Sequence, residues 1–357
     1  MNPDTHLTID QLPGRYVTYA RRQCLFFSGT SYLGLSQNPA FQARVIQAMS
    51  QYGTVFGSSR NGNLRLRVYE EAEQALALWT SAPAALTVSS GMMAGQVVMQ
   101  YLATNPDTVF MYGPHTHPAL WHRTAVPLPQ QSFDSWVADL PAQVQQQRAR
   151  PLVLAMNSLD AVRSVAYSFD WVRQLPHHPA LTLVVDDSHG IGVRNRGIWA
   201  ELSAQLPASV RLVVTASLAK AMGLPGGLVL ADSVTVEGIR HTSFFGGASP
   251  MAPAPLAAFA GAEELYAEAQ VRLARLVTLA EEVLLPTGLF RQAPHYPVFY
   301  TEHDELYAHA LRHDLFIYSF AYPTPRDKAN TRIVISAFHE PADIERLGEV
   351  VQAFGGR

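Results

Sequence analysis

Short apolar runs alternate with helical patterns between residues 84 and 231, and this alternation limits the folds that the chain can adopt. Each run is bounded by turn-forming residues and separated from the next by helical spacing. Because parallel strands need a crossover connection, this pattern is typical of βαβ units whose mostly parallel sheet is covered by helices on both faces. We therefore predict a large α/β domain. Its predicted strands are residues 84–88, 108–112, 151–156, 181–186, 211–217 and 227–231.

The regions on either side of this alternation predict a chain with three parts. Residues 1–38 have little periodicity and are expected to form an N-terminal arm, which the large domain follows over residues 39–247. A small α+β domain is expected over residues 248–357, beginning with an Ala-rich connecting helix at residues 251–283. Its other predicted elements are strands at 297–300, 315–320 and 331–337 and helices at 306–312 and 341–354.

Composition excludes several classes of protein. The formal net charge is −3, so neither a nucleic-acid groove nor attraction to an anionic membrane is expected. The single cysteine, Cys24, excludes an internal disulfide framework. The N-terminal segment contains acidic residues and no apolar core, which argues against a signal peptide. These features predict a cytoplasmic protein that has no nucleic-acid or membrane partner.

Two strand ends carry the polar residues that are most informative about chemistry. One predicted strand ends at Asp186 and is followed by Asp187 and His189, and the next is followed by Lys220. Taken separately, the acids could cap a loop and the lysine could be solvated. Taken together they suit pyridoxal phosphate, because a carboxylate keeps the pyridinium nitrogen protonated while a lysine forms a Schiff base with the aldehyde. Both segments follow strands, where ligands bind in open α/β sheets.

Seven segments of the chain resemble those of a known enzyme family in their order and spacing. In chain order they are SYLGLSQNP, GSSRNGNLRLRVYEEAEQAL, SSGMMAGQ, HTHPALW, VVDDSHGIG, TASLAKAMGLPGG and TRIVISAFHEPADIERL. On these segments the chain is similar to fold-type I pyridoxal-phosphate enzymes and, within that class, to the α-oxoamine synthases. The resemblance implies a large domain with a seven-stranded type of sheet and a small C-terminal α+β domain. The last three segments are the most specific.

The resemblance implies a set of residues around the ring of the cofactor. Lys220 would be the Schiff-base lysine, and Asp186 would bind the pyridine nitrogen. His189 would hydrogen-bond the phenolic oxygen, and His117 would stack on the ring face. These four would be the catalytic residues. Ser217, three positions before the lysine, would contribute a hydroxyl to cofactor binding.

The resemblance also implies two anion-binding groups. Ser90 and Gly91 would form the phosphate turn, where Met92 and Met93 would offer backbone N–H groups at a helix N-terminus. The two methionine side chains are expected to pack in the core. Arg332 would bind the carboxylate of an amino acid, a task that suits the planar guanidinium.

Several residues depart from the family pattern. They leave the predicted cofactor residues intact and alter the residues expected to face the substrates. Two of these positions would otherwise hold a Ser-Thr pair that reaches the phosphate of the neighbouring subunit. The departures are Ser31 for asparagine, Tyr69 for histidine, Asn157 for glutamate, Ala161 for serine, and Gly246 with Gly247 for the Ser-Thr pair.

The resemblance implies an acyltransferase. It would condense an amino acid with an acyl-CoA or another acyl thioester through the Lys220 Schiff base, and decarboxylation could follow. An aminotransferase or a retro-aldol lyase on the same scaffold stays open, as does a protein that binds the cofactor with little activity. A homodimer with a shared active site is expected. No metal is expected, because His115 and His117 have no third ligand nearby.

Overall fold

The computed structural model describes residues 8–321 and 326–356 of the chain. Residues 1–7 of the predicted arm lie outside this description. The chain divides into two compact units. The large unit comprises residues 39–159 and 167–263, and the small unit comprises residues 160–166 and 264–357 together with the segment that ends at Asn38.

Most of the strands belong to two separate sheets, and β6 with β7 forms a two-stranded ribbon. The strands are β1 (Tyr16–Tyr19), β2 (Arg22–Phe27), β3 (Ala84–Val88), β4 (Val109–Tyr112), β5 (Leu152–Asn157), β6 (Leu159–Asp160), β7 (Val165–Ala166), β8 (Leu181–Asp186), β9 (Val210–Ser217), β10 (Gly227–Ala231), β11 (Val298–Thr301), β12 (Leu315–Ala321) and β13 (Ala329–Val334).

The helices range from one turn to the long α9, and short 3-10 segments occur between several elements. None of the described helices is both long and apolar enough to cross a membrane. The helices are α1 (Pro39–Tyr52), α2 (Arg67–Thr80), α3 (Gly91–Leu102), α4 (Phe133–Gln146), α5 (Trp199–Gln205), α6 (Ser233–Arg240), α7 (Ser243–Gly247), α8 (Pro253–Phe259), α9 (Glu263–Leu284), α10 (Leu306–Arg312) and α11 (Pro341–Gly355).

The sheet of the large unit confirms the predicted α/β architecture. Its strand order is β3-β10-β9-β8-β5-β4, with β9, β8, β5 and β4 mutually parallel and β10 antiparallel to both of its neighbours. The described residues give this sheet six strands, whereas the resemblance implied seven. Between β4 and α4 the chain forms a 3-10 helix and a loop. Pro127 and Pro129 in this loop lack the N–H groups that a paired strand needs.

The central strands of this sheet are buried on both faces. Every residue of β8 is buried, as are the first five residues of β5. On one face, α3 contributes Val97 and Val98 to a core cluster that includes Val153, Val184 and Val213 from three strands. This packing gives the polar residues at the strand ends a rigid support.

The small unit contains a β-hairpin that the sequence did not reveal. Its sheet has the order β1-β2-β12-β13-β11, so part of the predicted arm pairs with the C-terminal region. The hairpin turns at Ala20 and Arg21, both with positive φ (48° and 65°). Such turns usually contain Asn-Gly or Asp-Gly, and neither is present here. The signal that normally predicts a hairpin is therefore missing.

The connecting helix predicted at residues 251–283 is wrong as a single element. The structure has α8, which ends at Phe259, and α9, which begins at Glu263. Gly261 between them has φ +83°, a left-handed conformation that ends a helix. The break coincides with the boundary between the two units.

Candidate active site

Three polar residues that the sequence analysis singled out lie side by side at the carboxyl ends of adjacent strands in the large unit. Asn157 at the end of β5 is in register with Asp186 at the end of β8. Ser217 ends the neighbouring strand β9, and Lys220 follows it in the next turn. Residues far apart in sequence therefore meet at one edge of the sheet, as the sequence predicted for ligand-binding groups.

Asp186 is buried, with 8% of its surface exposed, and its two carboxylate oxygens face different groups. Oδ1 accepts a hydrogen bond from the Ser188 N–H at 2.9 Å. Oδ2 lies 3.9 Å from Nδ1 of His117, which is contact distance and too long for a hydrogen bond. Asp186 and His117 are thus brought together as predicted, and one carboxylate oxygen keeps hydrogen-bonding capacity toward a bound ring.

His117 is held as a neutral imidazole. Burial lowers the pKa of its ring below the ordinary value, and the charge of Lys220 lowers it further against the opposing effect of Asp186. Nδ1 accepts a hydrogen bond from the Ala119 N–H at 3.2 Å, so the ring caps a short 3-10 helix. A neutral ring with a fixed orientation suits stacking on a flat ligand.

Lys220 lies in a tight turn between β9 and β10. The turn is closed by hydrogen bonds from the Leu218 N–H to the Gly226 carbonyl and from the Leu224 N–H to the Leu218 carbonyl, both 2.9 Å. Leu218 and Leu224 are fully buried, whereas Lys220 is half-buried. The lysine is therefore mounted on a rigid turn, close enough for its charge to act on His117.

A contact that sequence reasoning missed joins two of the three most specific segments. The Ser217 N–H donates to Oγ of Ser188 at 2.8 Å. Oγ of Ser217 in turn accepts from the Ala219 N–H at 3.4 Å. Ser188 therefore fixes the start of the lysine turn against the strand end that bears Asp186. Its position between two predicted site residues, Asp186 and His189, was the available signal. His189 is half-buried in the turn after Asp187.

Asp187 has a different environment from its neighbour Asp186. It is buried, and its Oδ2 accepts a hydrogen bond from the Ile198 N–H at 2.9 Å. A Cβ on Gly190 would overlap this carboxylate, so the loop is packed directly against it. Burial raises the pKa of Asp187 to about 6, against the opposing effects of its hydrogen bonds and of the Arg194 charge. Asp187 thus holds the 190–198 loop, which supports the choice of Asp186 for the cofactor.

The raised pKa of Asp187 predicts a pH-dependent loss of stability. Between pH 4 and pH 6 the folded chain keeps a proton that the unfolded chain releases, so the free energy of unfolding falls as pH rises. The full shift corresponds to about 3 kcal/mol. Asp187→Asn keeps the acceptor for Ile198 and removes the titration. Urea unfolding at pH 4.5 and pH 7 should show a smaller fall in the variant. An identical fall in both proteins would contradict the assignment.

The phosphate turn predicted at Ser90 and Gly91 begins α3. Oγ of Ser90 accepts a hydrogen bond from the Met93 N–H at 3.1 Å and so caps the helix. A Cβ on Gly91 would lie 2.5 Å from Cβ of Ser217, so only glycine fits at this close approach. The expectation that both methionine side chains pack in the core is wrong for Met92, which is 48% exposed; Met93 packs against the core cluster. Met92 follows the tight glycine turn, which directs its side chain outward.

Arg332 belongs to the small unit and is described within it. It is 5% exposed, and its Nη1 donates to the Ala161 carbonyl at 2.8 Å. Its guanidinium lies 4.1 Å from the ring centroid of Tyr318. Among the described residues it forms no ion pair with a carboxylate, and its Nε has no hydrogen-bond partner. A buried guanidinium normally needs an anion, so these contacts leave Arg332 suited to bind one.

The remaining departures from the family pattern have local partners. Oγ of Ser31 lies 3.3 Å from Oγ of Ser36. Tyr69 donates to the Met251 carbonyl at 2.7 Å and lies beneath the guanidinium of Arg60. Gly246 and Gly247 form the end of α7, and the Gly246 carbonyl accepts from Oγ of Ser59 at 2.7 Å.

The residues of the large unit fit pyridoxal phosphate. A lysine, a buried carboxylate and a neutral histidine converge at one sheet edge, and a capped helix begins at a glycine where a Cβ has no space. Among residues 8–321 and 326–356, no group of three or more His, Cys, Asp or Glu side chains is arranged to hold a metal ion.

Comparison with known proteins agrees with this chemistry. The family model for aminotransferase class I and II matches residues 23–351. 8-Amino-7-oxononanoate synthase of Yersinia pestis is 30% identical over 361 residues, covering 95% of this chain and 91% of the relative. The enzyme of the same name from Thiobacillus denitrificans is 28% identical and covers 96% and 92%.

Solved structures share the fold. Serine palmitoyltransferase of Sphingomonas wittichii superposes with a TM-score of 0.80 at 17% identity, covering 98% of this chain and 92% of that one. 8-Amino-7-oxononanoate synthase of Francisella tularensis gives 0.70 at 18% identity, covering 93% and 97%. The chain therefore belongs to the aminotransferase class I and II family, as a pyridoxal-phosphate-dependent acyltransferase of the α-oxoamine synthase type.

Proposed function

We propose that this enzyme joins the α-carbon of an amino acid to the acyl group of a thioester, using the residues at the carboxyl edge of the large sheet. The observation that carries the proposal is the meeting of Asp186, His117 and Lys220, with a 3.9 Å approach between the first two and an electrostatic effect of the third on His117. The likeness to 8-amino-7-oxononanoate synthases over nearly the whole chain supports an acyl thioester as the second substrate.

Each residue at this edge has a proposed task. When bound, pyridoxal phosphate supplies an electron sink for the negative charge that develops at the substrate α-carbon. Lys220 would hold the cofactor covalently and would move the proton at that carbon. Asp186 holds the proton on the ring nitrogen, and His189 donates to the phenolic oxygen. His117 covers one face of the ring and excludes water from it.

The cofactor phosphate is proposed to bind at the N-terminus of α3. Ser90 and Gly91 shape the turn, and the backbone N–H groups of Met92 and Met93 would bind the anion. The Met93 N–H donates to Oγ of Ser90 in this structure and would exchange that acceptor for the phosphate. The α3 dipole favours negative charge at this end of the helix. Ser217, at the end of β9, would add its hydroxyl to this site. It lies directly against Gly91, since a Cβ on that glycine would overlap the Ser217 side chain.

A thiol-release assay tests the proposed reaction. The purified enzyme is incubated with each common amino acid and with acyl-CoA chains of increasing length, and free CoA thiol is followed with a chromogenic disulfide. We expect release that requires both an amino acid and an acyl-CoA and that is lost in Lys220→Ala. Transfer of the amino group to a 2-oxo acid without thiol release would instead show an aminotransferase.

Arg332 is proposed to bind the carboxylate of the amino acid. Its burial, its unpartnered Nε and the lack of a carboxylate partner among the described residues support this role. Tyr318 lies against the guanidinium plane and limits its orientation. A fork of two parallel donors gives geometric specificity for a carboxylate.

Arg332→Lys is expected to raise the KM for the amino acid by about tenfold, because lysine keeps the charge but loses the two-pronged donor geometry and the stacking on Tyr318. The cofactor dissociation constant should stay within about twofold of the wild-type value. Steady-state kinetics and a cofactor titration measure the two quantities. Weaker cofactor binding with an unchanged KM would indicate a structural role for Arg332.

We also propose a cytoplasmic homodimer whose subunits share the active site. The large unit leaves several large apolar side chains exposed, and a second copy of the chain would cover them. Two of them lie on α1, where only Phe41 is buried. The exposed residues are Ile46 at 66%, Met49 at 40%, Val55 at 72%, Leu64 at 70% and Phe244 at 41%.

Ile46→Glu should weaken the dimer, because it places a charge on a face that we expect to be covered. Sedimentation over a range of concentrations, with absorbance read at the cofactor band, should show more monomer and cofactor release on dilution. Val271→Glu is the matched control, since Val271 is also exposed (73%) but lies on α9 of the small unit. A wild-type monomer with full cofactor and full activity would refute the shared site.

A further inference from the structure

The side-chain amide of Asn157 bridges two backbone groups that flank Thr116 in the loop that presents His117. Its Nδ2 donates to the His115 carbonyl at 2.8 Å, and its Oδ1 accepts from the His117 N–H at 3.0 Å. We infer that Asn157 is a positioning residue, which sets the orientation of His117 over the cofactor ring. This inference rests on the stacking role proposed for His117.

The loop needs such a support because its backbone is strained. His115 has φ +56°, which is unfavourable for a residue with a side chain. The next residue, Thr116, is buried and donates its hydroxyl to the Gly113 carbonyl at 2.6 Å and to the Ala155 carbonyl at 3.1 Å. The end of β5 therefore holds this loop through two groups, the Ala155 carbonyl and the side chain of Asn157.

The other side of His117 is fixed independently. The Ala119 N–H donates to Nδ1 of the ring, and Nε2 of Gln96 donates to the carbonyls of Ala119 and Trp121 at 2.9 and 3.0 Å. The bridge from Asn157 sets the backbone at residue 117, and Ala119 sets the rotation of the ring. Loss of the bridge would leave the ring attached on one side only.

The chemistry of the bridge explains an amide at this position. One partner is a donor and the other an acceptor, and an amide satisfies both. An ionised glutamate, which the family resemblance would place at this position, could accept from His117 but could not donate to the His115 carbonyl. It would also place a second negative charge beside Asp186, the register partner of Asn157. The amide at residue 157 therefore makes both hydrogen bonds without adding a charge beside Asp186.

A double-mutant cycle on cofactor affinity tests this inference without any assay of acyl transfer. The apoenzymes of wild type, Asn157→Ala, His117→Ala and the double variant are titrated with pyridoxal phosphate, and the circular dichroism of the cofactor band is recorded. We expect Asn157→Ala to weaken affinity by about tenfold and to reduce the band. In the His117→Ala background the same substitution should change affinity by less than about twofold.

Two further variants keep the test interpretable. Asn157→Ser retains a polar group that is too short to reach both partners, so it should weaken cofactor affinity as Asn157→Ala does. It replaces Asn157→Ala in the cycle if the alanine variant folds poorly. Asn105→Ala removes an amide that accepts from the Asp107 N–H at 3.0 Å in a loop outside the site, and it should leave affinity unchanged.

The possible failures point to different parts of the account. If Asn157→Ala weakens affinity equally with and without His117, Asn157 does not act through that histidine and the inference is overturned, while the proposed function stands. If His117→Ala leaves affinity and the dichroic band unchanged, the stacking role itself is wrong, and the inference fails with it.

Discussion

Replacement of Lys220 by alanine is expected to lower the rate of the reaction by about 10³- to 10⁴-fold, with the fold retained. The lysine has two proposed tasks, covalent attachment of the cofactor and proton movement at the substrate α-carbon, and positioned proton transfer alone contributes up to about 10⁴-fold. The turn that carries it is held by buried leucines and backbone hydrogen bonds that do not involve the lysine side chain. Single-turnover kinetics and circular dichroism measure the two effects.

The sequence offers a matched control for this experiment. The chain contains only two lysines, Lys220 and Lys328, although Lys and Arg together number 26. Lys328 is exposed and lies in the small unit. Lys328→Ala should keep the wild-type rate within about twofold. Retention of more than a tenth of the activity in Lys220→Ala would show that another group performs its tasks.

Asp186→Ala is expected to lower activity by about 10²- to 10³-fold, because it removes the buried carboxylate that is proposed to stabilise the charged ring nitrogen. The adjacent substitution Asp187→Asn should have a small effect on activity, since Asp187 faces the 190–198 loop and Ile198 keeps its hydrogen-bond acceptor. The two variants differ by one position in the same buried segment. Their comparison separates chemistry from support of the loop.

Cofactor titration and steady-state kinetics of both variants provide the measurement. Asp186→Asn is a useful third variant, because it keeps the acceptor for the Ser188 N–H and removes only the charge. We expect it to resemble Asp186→Ala in rate and the wild type in thermal stability. Equal losses of activity in the Asp186 and Asp187 variants would mean that the wrong aspartate has been assigned to the ring nitrogen.

The buried strands of the large sheet were predictable because their apolar runs are continuous and bounded by turns. The strands β3, β8 and β10 have the predicted bounds. β4 and β9 differ by one residue at one end, and β5 is shifted by one residue at both ends. The β1–β2 hairpin was not predictable, because its turn uses Ala20 and Arg21 in a conformation that usually requires glycine or asparagine. The break near Gly261 was also missed, since a single glycine is compatible with a long Ala-rich helix.

The reactive side chains of the site were easier to infer from the sequence than the hydrogen bonds that hold them in place. Asp186, His117 and Lys220 lie together because parallel strands end at one edge, a relation that follows from topology. The bridge of Asn157 and the hydroxyl of Ser188 depend on loop conformation, which no spacing rule encodes. The different environments of Asp186 and Asp187 became visible only when the burial and partners of each were known.

Borohydride reduction followed by peptide mapping tests the central claim most directly. Reduction fixes any covalent link between a lysine and the cofactor, and with two lysines in the chain the mapping has only two possible sites. We predict that the reduced cofactor is found on the peptide that contains Lys220 and is absent from that peptide in Lys220→Ala. Label on the Lys328 peptide, or no labelled peptide from protein saturated with pyridoxal phosphate, would contradict the account.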